Sequence, residues 1–130
     1  AFARIGAGSV LIWTIDVITA ALVLAAFRPG LSTLTVVTVC FFAVSVGNLA
    51  KVLPLSPGGI GLYEGAFTLL VVALTPASVT AELALGAAIV DHAIKNTITV
   101  VGGLLSMVVL NVSLTTAVEE AGEARRSRAD

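Results

Sequence analysis

The sequence predicts an all-α, polytopic transmembrane helix bundle with one short or re-entrant helix broken by Pro and Gly. Of its 130 residues, 58% are hydrophobic and only 12% are charged, whereas soluble domains are typically about 45–50% apolar and about 25% charged. The apolar residues form long runs, and a helix needs roughly 20 such residues to cross a bilayer. A Pro- and Gly-rich stretch, residues 53–65, interrupts these runs. These observations together indicate membrane spans joined by short turns.

The first two spans are predicted at about residues 5–27 and 31–53. Each is close to the roughly 20 residues that a bilayer-crossing helix requires. Residues 28–30, Arg-Pro-Gly, separate them, because Pro and Gly end one helix and precede the next. Asp16 is an acid within the first span and has no partner on its own helix, so we expect it to pair with a cation from another helix. The candidate cations are Lys51 and Lys95.

The stretch 53–65 is where helical sequence must stop and restart. Its two prolines cannot donate backbone hydrogen bonds, and each disfavours helical geometry in the residue before it. Gly58, Gly59 and Gly61 allow positive φ. A helix that restarts near Gly61 presents unpaired N–H groups and the positive end of its dipole, which suit an anion. The restarted helix, about residues 61–74, is roughly 21 Å long, so it is either a half-helix or a tilted span.

Glu64 falls in the first turn of the restarted helix, where a carboxylate suits the helix dipole. Its charge opposes an anion at the same helix start, so we expect Glu64 to point away from the turn, towards Lys51, Lys95 or a proton. Two interpretations of the turn stay open: a tight connection between membrane helices, or a discontinuous-helix site that faces a lipid headgroup or ion. Gly61 and Gly65 have the spacing of a close helix contact.

The last predicted span, about residues 79–112, carries the densest polar cluster of the apolar region. Asp91 and Lys95, and likewise His92 and Asn96, are four residues apart and therefore neighbours on a helix. A charge at the bilayer centre costs about 2.5–3.5 kcal/mol on insertion scales. Such residues either pair to hold the bundle together or line a transport path, and the residues alone leave both interpretations open.

The domain boundary is predicted after residue 114, with a transmembrane bundle over 1–114 and a charged tail over 115–130. The tail contains three arginines, and the positive-inside rule places it in the cytoplasm of a multi-pass protein of the cell membrane. The sequence begins within apolar residues and without Met. We therefore expect the C-terminal part of a larger membrane domain, which packs against the N-terminal remainder of its own chain.

Motifs for catalysis are absent from the sequence. There is no nucleophile–base pair, phosphate-binding loop, dinucleotide fingerprint or zinc motif, and the one histidine has no second metal ligand at helical spacing. The net charge of −1 does not favour nucleic acid as a partner. We expect a protein that is not an enzyme and that needs no cofactor and no metal.

The broken stretch carries a recognisable motif, Pro-x-Ser-Pro-Gly-Gly-x-Gly-x-x-Glu-Gly, which begins at Pro54 and ends at Gly65. It resembles the signature of the flippase-like integral-membrane family related to the transmembrane domain of lysylphosphatidylglycerol synthases. The resemblance covers nearly the whole chain, and corresponds to the C-terminal half of a usual family member. The chain departs from the family pattern at Asp91 and His92, where members often have an aromatic–arginine pair.

The resemblance implies a lipid flippase-like protein that translocates or binds an anionic or polyprenyl-phosphate-linked lipid, with membrane lipids as its partners. Gly58, Gly59 and Gly61 would hold the headgroup, the two lysines would supply positive charge, and the acids would hold cations or carry a coupling proton. The candidate residues for binding the headgroup or an ion are Asp16, Lys51, Ser56, Gly58, Gly59, Gly61, Glu64, Asp91, His92, Lys95 and Asn96.

The alternative function is a non-transporting membrane scaffold or anchor for an envelope lipid or glycan synthase, with a glycosyltransferase or synthase as partner. Geometry separates the two functions. A transporter requires a polar cavity that reaches the lipid phase and is lined by Glu64, Asp91 and Lys95. An anchor would instead bury the same side chains as satisfied pairs.

Overall fold

The computed structural model describes residues 2–27 and 29–110, together with 118, 119, 122, 124, 126 and 127. Within them the chain is helical and contains no strand. Four segments are long and apolar enough to cross a membrane, which confirms the predicted all-α transmembrane class. The helices are α1 (Phe2–Ala26), α2 (Thr33–Ala50), α3 (Leu62–Leu74) and α4 (Ala81–Val109).

Local signals in the sequence explain where α2 begins and ends. Ser32 caps its start, because the Ser32 hydroxyl accepts a hydrogen bond from the backbone N–H of Thr35 at 3.2 Å. The helix ends at Ala50, with Lys51 in the capping position. It therefore stops three residues before the predicted end at Leu53. The connection to α3 is correspondingly longer than predicted.

The predicted Pro/Gly break between α2 and α3 is confirmed. The chain makes a short 3-10 turn over Pro57–Gly59 and restarts as α3 at Leu62. Gly58, Gly59 and Gly61 have φ values of +66°, +74° and +86°, a backbone region that other residues rarely adopt. No helix runs through this stretch, since the prolines lack donors and the glycines turn the chain.

The chain divides into two compact units, residues 1–95 and 96–130. In the first unit, α2 packs against both α3 and α1. Each of these helices contributes at least one fully buried large side chain to the core, for example Leu24, Val44 and Phe67. Among the described residues, the fully buried apolar side chains of α4 are alanines, Ala84, Ala87 and Ala88. Small residues let helix backbones approach closely, which is typical of membrane helix packing.

In the first unit, large aliphatic side chains are exposed and charged side chains are buried, which is the reverse of a soluble domain. Large aliphatic side chains such as Ile12, Leu34 and Leu69 are more than half exposed. Asp91 and His92, in contrast, are buried within the bundle. This distribution suits a bundle in lipid, because aliphatic side chains face hydrocarbon favourably and charged side chains do not.

The second unit contains the rest of α4, which continues through Gly102 and Gly103 to Val109 without a break. The predicted domain boundary at residue 114 falls within 111–117, outside the described residues. Most of the predicted tail, 115–130, also lies outside them. The tail and its cytoplasmic side therefore stay predictions.

The close helix contact expected at Gly61 and Gly65 is wrong. A Cβ added at either glycine would meet no atom of the described residues within 4 Å. Gly47 of α2 has the tight contact instead, because an added Cβ would lie 2.7 Å from Cδ2 of the Tyr63 ring. The glycine that allows α2 and α3 to approach is therefore on α2, where the aromatic ring of α3 faces it.

We predict that Gly47→Ala destabilises the bundle by about 1–3 kcal/mol, because an extra methyl group in a packed interior forces backbone or ring displacement. Gly65→Ala is the matched control, since it makes the same change on a helix with open space around it. The control should leave stability unchanged or raise it by about 0.5–1 kcal/mol. The free energy of unfolding in a detergent titration measures both, and equal values for the two variants would contradict the packing at Gly47.

Candidate functional site

All four helices contribute polar side chains to one cluster inside the first unit. Hydrogen bonds and ion pairs of 2.5–3.1 Å connect its members into two groups, and both groups meet at the ring of Tyr63. We call this cluster the polar network, and its members are Asp16, Asn48, Tyr63, Glu64, Asp91, His92 and Lys95.

Lys95 is the central cation of the network. Its ammonium lies 2.7 Å from Oδ1 of Asp16 and 2.8 Å from Oδ2 of Asp91, and it donates to the Tyr63 hydroxyl at 3.1 Å. Asn48 donates to the other oxygen of Asp16 at 2.6 Å. The structure thus confirms that the partner of Asp16 is a lysine from another helix and identifies it as Lys95. The predicted pair of Asp91 with Lys95 is also confirmed.

Tyr63 is a residue that sequence reasoning missed. It is fully buried, and its hydroxyl donates to Oδ2 of Asp91 at 2.5 Å. Its ring contacts the His92 ring at a centroid distance of 4.8 Å. Its place beside Glu64 on a short apolar helix could have indicated its role. A tyrosine buried in such a bundle needs a hydrogen-bond partner for its hydroxyl. Asn48, two residues before the end of α2, was missed as the second partner of Asp16.

Glu64 differs from its predicted orientation. Its Oε2 accepts the backbone N–H of Gly61 at 2.7 Å, and its Oε1 lies 2.6 Å from Nδ1 of His92. The carboxylate therefore points back to the turn and pairs with histidine, and the expected pairing with Lys51 or Lys95 is wrong. The physical reason is that the start of α3 has unpaired N–H groups, which attract the carboxylate three residues later.

The structure gives His92 a different partner from the predicted Asn96. The Nδ1 atom of His92 pairs with Oε1 of Glu64, which lies on α3. Asn96 is an exposed residue of the second unit. Of the two predicted pairs on α4, therefore, only the one that joins Asp91 to Lys95 is formed.

The turn residues predicted to bind a headgroup occupy two different environments. Lys51 and Gly59 pack together, since a Cβ at Gly59 would lie 2.3 Å from Cγ of Lys51. The ammonium of Lys51 reaches the face of Tyr63, 4.7 Å from the ring centroid. At Gly58 and Gly61, in contrast, an added Cβ would have no neighbour within 4 Å in the described part of the chain. The turn therefore contacts the network through Lys51 and leaves its other glycines uncovered.

A model of the lysylphosphatidylglycerol synthase TM region matches residues 1–103. The chain belongs to this family. The match covers the polar network and the Pro/Gly turn, so it confirms the resemblance that the motif indicated. The matched residues include the whole first unit, 1–95. This unit contains every predicted residue of the candidate site except Asn96.

A curated relative gives a second comparison. The chain is 61% identical over 125 residues to a protein named "Glycosyltransferase AglD" from Haloferax volcanii. The match covers 96% of this chain but only 20% of the relative, so the chain spans about a fifth of that protein's length. No solved structure matches the chain.

Among the described residues, three apolar cavities border the helices. Two of about 300 and 460 Å³ lie between α1 and α2 and share the lining residues Val17, Ile18 and Val37. A third of about 340 Å³ is lined by residues of α3 and α4 that include Gly65 and Leu85. No residue of the polar network lines any of these three cavities. The network is thus separate from these three cavities.

Two atoms of the network have no hydrogen-bond partner within the described residues. They are Oδ1 of Asp91 and Nε2 of His92, and both are inaccessible to solvent. Because a carboxylate faces Nδ1 of His92, the proton of the imidazole belongs on Nδ1 and leaves Nε2 as an acceptor in the neutral ring. Buried polar atoms of this kind normally bind ordered water or a polar group.

We predict that Lys95→Met destabilises the bundle by about 3–5 kcal/mol, because it leaves the buried carboxylate of Asp91 and the partly buried carboxylate of Asp16 without their ammonium. Adding Asp16→Asn and Asp91→Asn to the same chain should restore most of the lost stability, since all three side chains are then neutral. The free energy of unfolding of the three chains measures the effect. Arg4→Met removes one exposed positive charge as a control, and a loss no larger than in this control would contradict the central role of Lys95.

We also predict that His92 carries a proton on Nδ1, whichever charge state the ring has. His92 is the only histidine of the sequence, so ¹⁵N-histidine labelling of the 130-residue chain in micelles gives one ring to assign by NMR. Glu64→Ala removes the acceptor and should shift the proton towards Nε2, the preferred position in the absence of a partner. A wild-type ring with its only proton on Nε2 would contradict the Glu64–His92 contact.

Proposed function

We propose that this chain is a non-transporting membrane anchor for a protein that synthesises an envelope lipid or glycan. The observation that carries the proposal is the pairing of Lys95 with both Asp16 and Asp91, and of His92 with Glu64. An anchor is expected to bury its charged side chains as satisfied pairs, whereas a transporter would need them along a polar cavity. The described cavities are apolar and do not include these residues.

The relative supports the same function. Its printed name is that of a glycosyltransferase, and this chain corresponds to about a fifth of it. In our proposal, glycosyl transfer or lipid synthesis is performed by a part of the protein, or by a partner, other than this chain. The chain itself is not an enzyme in this proposal. It holds the synthesising part at the cell membrane, with the 115–130 tail in the cytoplasm.

The second candidate is a flippase-like protein that binds or translocates an anionic or polyprenyl-phosphate-linked lipid. The unpartnered Oδ1 of Asp91 and Nε2 of His92 favour it, because buried polar atoms in a membrane bundle often mark a path for polar groups. In this alternative, the N-terminal remainder of the chain would complete the path around these two atoms.

The test compares the full-length protein with the variant Asp16→Asn, Asp91→Asn and Lys95→Met, in which the central charges are removed together. The anchor predicts that both proteins form product at similar rates, because the neutral set still packs. It also predicts that neither accelerates the exchange of fluorescent anionic lipids between leaflets above protein-free vesicles. Transport by the wild type that is lost in the variant would contradict the anchor and support the flippase.

A further inference from the structure

The part of α4 that belongs to the second unit is uncovered. Every residue from 96 to 106 is exposed. A Cβ added at Gly102 or Gly103 would meet no atom of the described residues within 4 Å. The described residues therefore leave this part of the helix free to contact a partner.

This segment has two opposite faces of different composition. Residues spaced three, four and three apart lie on one side of a helix, because the spacing averages about 3.5 residues per turn. One such set, which we call the Asn96 face, is Asn96, Thr99, Gly103 and Ser106. A second set, which we call the aliphatic face, is Ile98, Val101, Leu105 and Val108. It begins two residues later and so lies roughly 200° around the helix.

Lipid suits only one of these faces. The side chains of the aliphatic face are all at least half exposed, from Val101 at 50% to Val108 at 78%, and hydrocarbon solvates them well. The exposed carboxamide of Asn96 offers two N–H donors and an acceptor, to which lipid tails offer no partner.

The depth of Asn96 makes this mismatch costly. It lies 15 residues after Ala81, the first residue of α4, or roughly 22 Å along the helix. For a helix that enters the membrane near Ala81, this position is inside a hydrocarbon core of about 30 Å. A polar side chain at such a depth is stabilised when another helix supplies its hydrogen-bond partner. The Asn96 face is therefore suited to a polar helix surface.

A second copy of the chain supplies that surface by symmetry. A carboxamide is self-complementary, since the N–H of one Asn96 can donate to the carbonyl oxygen of another. Copies inserted in the same orientation hold Asn96 at the same depth, and a two-fold axis along the bilayer normal places the two residues opposite each other. On the same face, Gly103 and Ser106 are small enough for the helix backbones to approach closely.

We propose that two copies of the protein pair in parallel through the Asn96 face of α4. The two Asn96 amides hydrogen-bond to each other, and the helices cross at about 20° in a left-handed sense with Gly103 at their contact. The aliphatic face stays in contact with lipid. This interface does not depend on whether the chain anchors a synthase or translocates a lipid.

The first test measures energy transfer between donor- and acceptor-labelled full-length protein in vesicles at a series of protein-to-lipid ratios. Asn96→Leu should raise the dimer dissociation constant about tenfold, the change expected from the loss of two interhelical hydrogen bonds. Asn96→Gln should retain the dimer, because the carboxamide stays. Thr97→Leu is the matched control, since it changes the next residue, outside the Asn96 face, and should leave the constant unchanged. Equal constants for Asn96→Leu and wild type would overturn the proposal.

Disulfide crosslinking identifies the face without any change at Asn96. Ser106→Cys places a thiol on the Asn96 face, and Val108→Cys places one on the aliphatic face, about 3 Å further along the helix. Under mild oxidation of the full-length protein in vesicles, Ser106→Cys should give a covalent dimer above the level of the unsubstituted protein. Val108→Cys should not. Equal dimer formation by the two variants would overturn the assigned face.

A different occupant of the Asn96 face gives a different result. If another segment of the full-length chain covers it, the wild type stays monomeric at every protein-to-lipid ratio. Asn96→Leu then changes the free energy of unfolding and leaves energy transfer unaffected. That outcome would overturn the pairing of two copies.

Discussion

The structure depends on one ammonium group placed between two carboxylates from different helices. Lys95 and Asp91 belong to α4, and Asp16 belongs to α1. A charged side chain is costly in hydrocarbon, so the pairing of Lys95 with Asp16 favours the approach of α4 to α1. Apolar side chains cannot impose such a constraint, because lipid tails are as apolar as the side chains themselves. The ion pairs therefore select the arrangement of helices that the apolar residues leave undetermined.

Tyr63 connects this constraint to the break in the helices. Its hydroxyl lies within the polar network, and its ring packs against Gly47, three residues before the end of α2. If α2 continued as a helix through residues 51–61, the chain could not return to place α3 against α2. The Pro/Gly turn thus has a packing role that is independent of any ligand, because it brings an aromatic residue to the centre of the bundle.

The two ends of the candidate site serve different purposes in this arrangement. Around Lys95 and His92 the charges are paired internally, which is the arrangement that supports the proposed anchor. Around Lys51 the charge is left to the surface, beside exposed aliphatic side chains.

The sequence by itself determined the helical class, the approximate spans, the helix break and the family. Each follows from local rules: apolar run length, the missing donors of proline and the backbone freedom of glycine. It also indicated the pair of Asp91 with Lys95, because four-residue spacing on a helix is a local relation. Only the tertiary structure decided that Lys95 binds Asp16, that Glu64 turns back to Gly61 and His92, and that Tyr63 lies at the centre. These contacts join residues that are distant in the chain, and their partners depend on how the helices rotate and approach, which no local pattern specifies.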